Sequence, residues 1–307
     1  MTTSGDLAAR VAAGEPRAVG RLISWVEDGA PDLPEALAAL PAAPPSYVIG
    51  ITGSPGVGKS SVTSELVTAY RARGERVGVL AIDPTSPFSG GALLGDRIRM
   101  QEHATDPGVF IRSMASRGHL GGMAAATPQA VRVLEAAGCT VVLVETVGVG
   151  QSEVDVAATA DATVVLLAPG MGDGIQAAKA GILEVADIVC VNKADRDGAE
   201  STAREVRQML RMGLPVSGWE VPVALSSAAQ GDVSALLAAL DDRRAWLGEG
   251  DRLRERRRER AAAEILALAV GRARLRLAQA LPAEVVDAVA DGRLSSFSAA
   301  DGLIEGA

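Results

Sequence analysis

An α/β fold, with a mostly parallel sheet covered by helices on both faces, is what this sequence predicts, and three observations predict it. From Tyr47 onward, short apolar runs alternate with helix-forming segments. Those runs are continuously apolar rather than alternating, the pattern of strands buried on both sides. A glycine-rich stretch, residues 53–60, joins the first apolar run to a helix-forming run.

Residues 7 to 40 read as helical, because Leu7, Val11, Leu22, Ile23, Val26, Leu33, Leu37 and Leu40 recur at near-helical spacing. Pro31 and Pro34 divide this stretch into at least two helices. Pro41, Pro44 and Pro45 then form a stiff linker and a boundary. The expected strands are Tyr47–Thr52, Val77–Ile82, Val109–Arg112, Thr140–Glu145, Ala162–Ala168, Asp187–Asn192 and Pro222–Leu225, with helices such as Ser60–Arg73 and Pro128–Ala137 between them. After about residue 250 the chain becomes dense in Arg and Glu. Arg252 to Arg276 reads as one long helix with Ile265, Leu266, Leu268 and Leu275 as its apolar set, followed by a short helical tail around Val285 to Ile304. Its cluster Arg254, Arg256, Arg257, Arg258 and Arg260 is expected on a solvated face with Glu partners one turn away. A long helix leaving a compact domain also suits dimer contact.

Composition narrows the function. The 307 residues carry a net charge of -8 and 3% aromatics, which disfavours a nucleic-acid binder that neutralises phosphates and stacks bases. Cys139 and Cys190 lie beside or inside apolar runs and read as small, reduced core residues. The N-terminus MTTSGDLAAR lacks an apolar signal core, and no run approaches the roughly 18 apolar residues of a membrane helix. A cytoplasmic protein with no membrane partner is expected.

The residues Gly53, Ser54, Pro55, Gly56, Val57, Gly58, Lys59 and Ser60 fit G-x-x-x-x-G-K-[ST], with an apolar strand before and a helix after. This is the phosphate-binding loop of P-loop NTPases. Its glycines let backbone N–H groups point at phosphates, Lys59 reaches the β- and γ-phosphates, and Ser60 ligates Mg²⁺. Ser61 follows in the first helical turn and is counted with the loop. A second element, Glu145-Thr146-Val147-Gly148, ends an apolar strand and resembles D-x-x-G with Glu in place of Asp. The acid serves Mg²⁺, and the Gly148 N–H meets the γ-phosphate.

Base choice is written at Asn192-Lys193-Ala194-Asp195, which fits N-K-x-D at another strand end. A carboxylate at Asp195 accepts from both guanine N1–H and N2–H₂, whereas adenine leaves it unpaired. Asn192 is expected at the O6/N7 edge, with the Lys193 stem packed on the base. Ser226, Ser227 and Ala228 resemble the serine-alanine loop whose backbone meets O6. The nucleotide expected is GTP. The segmentation expected is a helical leader over residues 1–45, a P-loop GTPase domain over 46–249 and a helical arm over 250–307.

Three further segments carry a family resemblance: residues 81–100, with Asp83-Pro84-Thr85-Ser86 and Gly95-Asp96-Arg97; residues 110–122, with Arg117-Gly118-His119; and residues 144–153, with Gly148-Val149-Gly150-Gln151. Together they resemble the MeaB/ArgK-type GTPases, which include the human methylmalonic aciduria type A protein, and the resemblance spans the chain. It implies a homodimer joined through the C-terminal region, and a GTP-driven chaperone that gates adenosylcobalamin loading of a methylmalonyl-CoA mutase or a related acyl-CoA mutase. An adenosyltransferase is a further partner it brings into view. It also implies that Asp83 and Glu145 surround Mg²⁺ and that Asp96 lies near the γ-phosphate to orient or deprotonate water. Residues 168–179, with Asp173, Gln176 and Lys179, are implied to form an extra switch. The sequence has no D-x-H-x-x-G cobalamin motif, so the cofactor is expected on the partner. Val149, not Gln, follows Gly148, so hydrolysis should be slow and partner-sensitive, with Gln151 nearby and Lys179 or a partner residue completing the site.

Three other readings remain at this point. A nickel or zinc metallochaperone GTPase would carry Cys-x-x-Cys or His-rich sites, but the cysteines are far apart and the histidines are His103 and His119 alone. A kinase linked to amino-acid transport would prefer ATP, against the guanine element. A nucleotide-dependent scaffold would hydrolyse nothing even with its partner.

Overall fold

The computed structural model describes residues 3–83, 101–115, 123–146, 152–170, 182–212 and 218–306. Within them lie the strands β1 (Tyr47–Gly53), β2 (Val77–Asp83), β3 (Val109–Ala115), β4 (Val141–Thr146), β5 (Ala162–Leu167), β6 (Ile188–Val191) and β7 (Val223–Leu225). They form one sheet in the order β3-β2-β4-β1-β5-β6-β7, and every neighbouring pair is parallel. Parallel pairing aligns all carboxyl ends on one edge of the sheet. The chain passes from β4 to β5 across the central β1, and such a switch in strand order opens the crevice where α/β folds bind ligands.

Each face of the sheet is covered by helices, as the continuous apolar strands require. On one face Tyr47, Ile49 and Ile51 of β1 pack with Val62, Leu66 and Tyr70 of α4 (Lys59–Ala72), and with Leu236 and Leu240 of a later helix, Ser234–Gly248. On the other face Val48, Leu80, Val142 and Val144 meet the leading helices α1 (Ser4–Ala12), α2 (Pro16–Asp28) and α3 (Leu33–Ala38), together with α5 (Met123–Ala136) and α6 (Ser152–Thr159). Leu7, Leu22 and Ile23 are fully buried there, each stabilising the fold by about 1.5–3 kcal/mol. The leading helices therefore share the core of the sheet. A third cluster lies under α7 (Ala199–Met212). Both cysteines are buried and free. Burial pushes the Cys139 thiol up to about 11 and the Cys190 thiol up to about 12.

Helix α5 starts before Pro128 and carries it inside, where the sequence suggested a start at Pro128 itself. The C-terminal region is α9 (Arg252–Ala280), α10 (Ala283–Ala290) and α11 (Ser296–Glu305), preceded by α8 (Ser234–Gly248). The expected single tail is thus two helices, parted by a turn at Gly292 with φ of 72°.

The arginine cluster of α9 departs from expectation. Arg254 and Arg258 are exposed, but Arg256, Arg257 and Arg260 face the body of the protein. Arg260 donates to Oδ1 of Asp161 at 2.6 Å, and Arg256 reaches Asp187 at 3.3 Å and Ala160 O at 3.1 Å. Asp161 and Asp187 immediately precede β5 and β6, on the sheet edge opposite the carboxyl ends. Asp161 is fully buried and also accepts from Val48 N at 2.9 Å. Asp187 takes a second arginine, Arg243, at 2.6 Å. The Arg243 guanidinium lies against the rings of Trp219 and Trp246, 5.0 and 4.5 Å from their centroids. Helical periodicity alone cannot say which charged face meets buried acids, so the solvated reading holds for only part of the cluster.

Removing one partner of a buried ion pair leaves the other charge uncompensated, at about 3 kcal/mol. Arg260→Met is therefore expected to lower the unfolding free energy by about that amount in urea denaturation. Arg258→Met, on the exposed face, should stay within about 0.5 kcal/mol of the parent chain. Equal losses in both variants would remove the arm's ionic docking from the account.

Candidate nucleotide and magnesium site

The glycine-rich loop leaves the carboxyl end of the central strand β1 and enters α4. Gly58 caps that helix in the left-handed conformation, with φ of 95° and ψ of 33°. Val57 is buried and anchors the loop in the core. Lys59 and Ser60 fall in the first turn of α4 and are both buried. Lys59 Nζ donates to Gly53 O at 2.7 Å and to Ser54 O at 3.1 Å, so its charge lies across the loop. A helix N-terminus with this loop presents backbone N–H groups and a positive dipole end to an anion.

Glu145 enters from β4, paired with Ile51 of β1 and Ala81 of β2. Its carboxylate is buried yet well bonded. Ser60 Oγ donates to Oε1 at 2.7 Å and Thr63 Oγ1 to Oε2 at 2.9 Å. Beside it, Thr146 Oγ1 donates to Thr52 Oγ1 at 3.1 Å, linking the ends of β4 and β1. Buried carboxylates need such donors or a cation. A hard divalent ion takes oxygen ligands and keeps waters and phosphate oxygens alongside one or two protein groups. The Ser60 hydroxyl and the Glu145 carboxylate fit Mg²⁺ of that kind. Among the described residues no three His, Cys, Asp or Glu side chains converge into a metal cage. Asp83 closes β2, next to β4 in the sheet.

The expected base-reading element, residues 192–195, follows the end of β6. Asn192 is buried, and its amide joins separate loops. Its Nδ2 donates to Val57 O at 2.8 Å, and its Oδ1 accepts from Ser226 Oγ at 3.1 Å and Ala228 N at 3.2 Å. Lys193 has φ of 60°, the left-handed exception among the described non-glycine residues, and donates to Gly56 O at 2.7 Å. Ala194 N donates to Ser226 O at 2.9 Å. Ser226 Oγ also lies 3.1 Å from Cys190 Sγ. Ser227 pairs with Asp232 through an isolated bridge, which sets the turn into Ala228. Asp195 is exposed, and among the described residues its carboxylate has no hydrogen-bonded partner.

The structure thus brings together residues 53–61, Glu145, Asn192, Lys193, Asp195 and Ser226 to Ala228 at the carboxyl edge of the sheet. Asn192 spends its amide on the two flanking loops. Asp96, His119, Gly148, Gln151, Asp173, Gln176 and Lys179 lie outside the described residues, as does the side chain of Asp83. Sequence reasoning missed Thr63 and Thr52. Both stand in or beside recognised motifs, but only the folded chain shows their partners.

The family model described as methylmalonyl Co-A mutase-associated GTPase MeaB matches residues 19–280. A Pyrococcus abyssi protein with a provisional GTPase name is 43% identical over 309 residues, which is 98% of this chain and 95% of that one. The mitochondrial methylmalonic aciduria type A homolog of Caenorhabditis briggsae is 40% identical over 219 residues, covering 69% of this chain and 53% of that one. The crystal structure of a LAO/AO transport system kinase superposes with a TM-score of 0.73 at 25% identity, covering 98% and 96% of the two chains.

A Cβ at Gly58 would collide with Asn192 Nδ2, whereas one at Gly56, with φ of 81°, would meet open space. Left-handed strain costs about 1–2 kcal/mol at either position. Displacing the buried amide adds about 1–3 kcal/mol at Gly58 alone. In urea denaturation, Gly58→Ala is expected to lower the unfolding free energy by about 2–5 kcal/mol and Gly56→Ala by about 1–2 kcal/mol. Equal losses would contradict the close approach of the two loops.

Proposed function

The chain belongs to the MeaB family of methylmalonyl-CoA mutase-associated GTPases, and from that premise we propose that it hydrolyses GTP with Mg²⁺ and acts as a switch on an adenosylcobalamin-dependent acyl-CoA mutase. One observation carries the nucleotide part. The Asn192 amide ties the phosphate loop to the serine-alanine loop, and the exposed Asp195 carboxylate has no hydrogen-bonded partner among the described residues. Phosphates and a guanine base are read by one connected frame.

Phosphoryl transfer asks a protein mainly for positioning and charge stabilisation. Lys59 and the N–H groups of the loop hold the β- and γ-phosphates. Ser60, Glu145 and Asp83 hold Mg²⁺, which when bound neutralises charge developing on the phosphate oxygens. Asp195 selects guanine, because two charge-assisted hydrogen bonds are lost with adenine. Asp96 orients the attacking water or takes its proton, Gly148 meets the γ-phosphate, and Asp173, Gln176 and Lys179 relay partner binding.

The partner holds the cobalamin, and the GTPase gates its loading and restores the mutase. An adenosyltransferase is a further partner in the same handover. The arm supports a homodimer: Ile265, Leu266 and Val270 on α9 and Phe297 on α11 are exposed large apolar side chains, Phe297 at 87%. Such residues call for a cover in solution. No described helix is long and apolar enough to cross a membrane, and the cytoplasm is the proposed location. A kinase linked to amino-acid transport stays as the second reading, because the solved relative at 25% identity carries that name.

The test is turnover of GTP and ATP with Mg²⁺, with and without a purified adenosylcobalamin-dependent acyl-CoA mutase from the same genome. Slow GTP turnover that the mutase accelerates, that Lys59→Ala abolishes and that Lys179→Ala no longer lets the mutase stimulate is the expected result. GTP turnover indifferent to the mutase would remove the partner. ATP preference with phosphate transferred to protein would replace the switch by the kinase.

A further inference from the structure

Ser60 and Thr63 stand one helical turn apart on α4, and both meet the same carboxylate. Ser60 Oγ donates to Oε1 of Glu145 at 2.7 Å, and Thr63 Oγ1 donates to Oε2 at 2.9 Å. The relative exposures of Ser60, Thr63 and Glu145 are 5%, 0% and 3%. Thr63 Oγ1 also lies 3.0 Å from Lys59 O, the back-bond that threonine ordinarily makes within a helix. A hydroxyl has one proton, and a carboxylate is the stronger acceptor of the two. The back-bond accounts for the threonine rotamer. It does not account for a buried carboxylate oxygen placed at the tip of that rotamer.

Glutamate is one methylene longer than the aspartate that the D-x-x-G pattern carries. With that length the carboxylate of Glu145 meets both the first turn of α4, at Ser60, and the second, at Thr63. A long side chain has rotational freedom about its terminal bonds, and a donor at each carboxylate oxygen restrains it, with Oε1 turned to Ser60 and Oε2 to Thr63. Partners that orient a ligand in this way commonly alter metal affinity by about 10–100-fold.

We infer that Thr63 is a positioning residue for Mg²⁺: it locks the Glu145 carboxylate so that Ser60 and Glu145 meet the ion of the bound nucleotide together. Thr63 and Glu145 work as a pair, the threonine compensating for the extra methylene. The inference rests on the reading of Ser60 and Glu145 as the Mg²⁺ side of the site.

The experiment is a Mg²⁺ titration of GDP affinity on the full chain, read by a fluorescent GDP analogue, with affinity in EDTA as the metal-free baseline. Thr63→Val is expected to raise the Mg²⁺ concentration at half-effect by about tenfold and to leave the EDTA baseline unchanged. Thr63→Ser restores the parent behaviour. In a Glu145→Asp background, whose shorter side chain withdraws from residue 63, adding Thr63→Val produces no further shift. Should Thr63→Val melt out before titration, Thr63→Cys serves with the same expected direction. Identical Mg²⁺ dependence in the parent and a folded Thr63 variant overturns the inference. A parent chain whose GDP affinity ignores Mg²⁺ overturns the underlying reading of Ser60 and Glu145, an outcome distinguishable because it appears without any substitution.

Discussion

The buried amide of Asn192 spans segments that lie far apart in the chain, 135 residues to Val57 and 36 residues to Ala228. Much of the candidate site depends on it. A phosphate loop must curl tightly and still hold a fixed position, and its backbone carbonyls need partners when buried. Asn192 supplies one to the buried Val57, and Lys193, from a left-handed backbone, adds an exposed bond to Gly56. Strain at a non-glycine residue persists only where the surroundings hold it, and here both neighbouring loops do. The close approach explains Gly58, since any side chain there would displace the amide. Cys190, two residues before Asn192, is buried with its thiol 3.1 Å from Ser226 Oγ, itself bonded to the amide.

The two edges of the sheet divide the work. At the carboxyl edge, hydroxyls and carboxylates are gathered around a loop that favours anions. At the opposite edge, Asp161 and Asp187 are gathered under arginines of α8 and α9. Strand β1 is held at both ends: its Val48 N–H donates to Asp161, and its last residue carries the phosphate loop. The arm whose outer part exposes apolar side chains is thereby pinned, by Arg260, to the acid that holds the central strand. Strand β1 thus runs from the arm's ion pairs at one edge of the sheet to the glycine-rich loop at the other.

Legibility followed the range of the interaction. The strand positions were legible because an apolar run buried on both faces is a local property, and all of Tyr47 to Gly53 is buried. The phosphate loop was legible because its glycines, lysine and serine act within eight residues of one another. The serine-alanine loop was legible only in order after the others. The bond between Thr63 and Glu145 crosses 82 residues, and the pair of Arg260 with Asp161 crosses 99. No spacing rule reaches that far, so Thr63 read as an interior helix residue and Arg260 as part of a solvated face. Asp161 and Asp187, just before strands, carry no local sign that they will be buried. The leading helices were legible as helices, but their share in the sheet's core depends on α5 and α6 meeting them from the middle of the chain.

The claim on which the account turns is that phosphate loop and base-reading element form one guanine site through Asn192. Equilibrium binding of GDP and ADP to the parent chain and to Asn192→Ala tests it most directly. The parent is expected to prefer GDP by about 100-fold or more, the worth of two hydrogen bonds to a charged group. Asn192→Ala is expected to lose GDP affinity and much of that preference together, because loop and base element lose their common frame. Equal affinity of the parent for GDP and ADP, or an Asn192→Ala chain with affinity and preference intact, would contradict it.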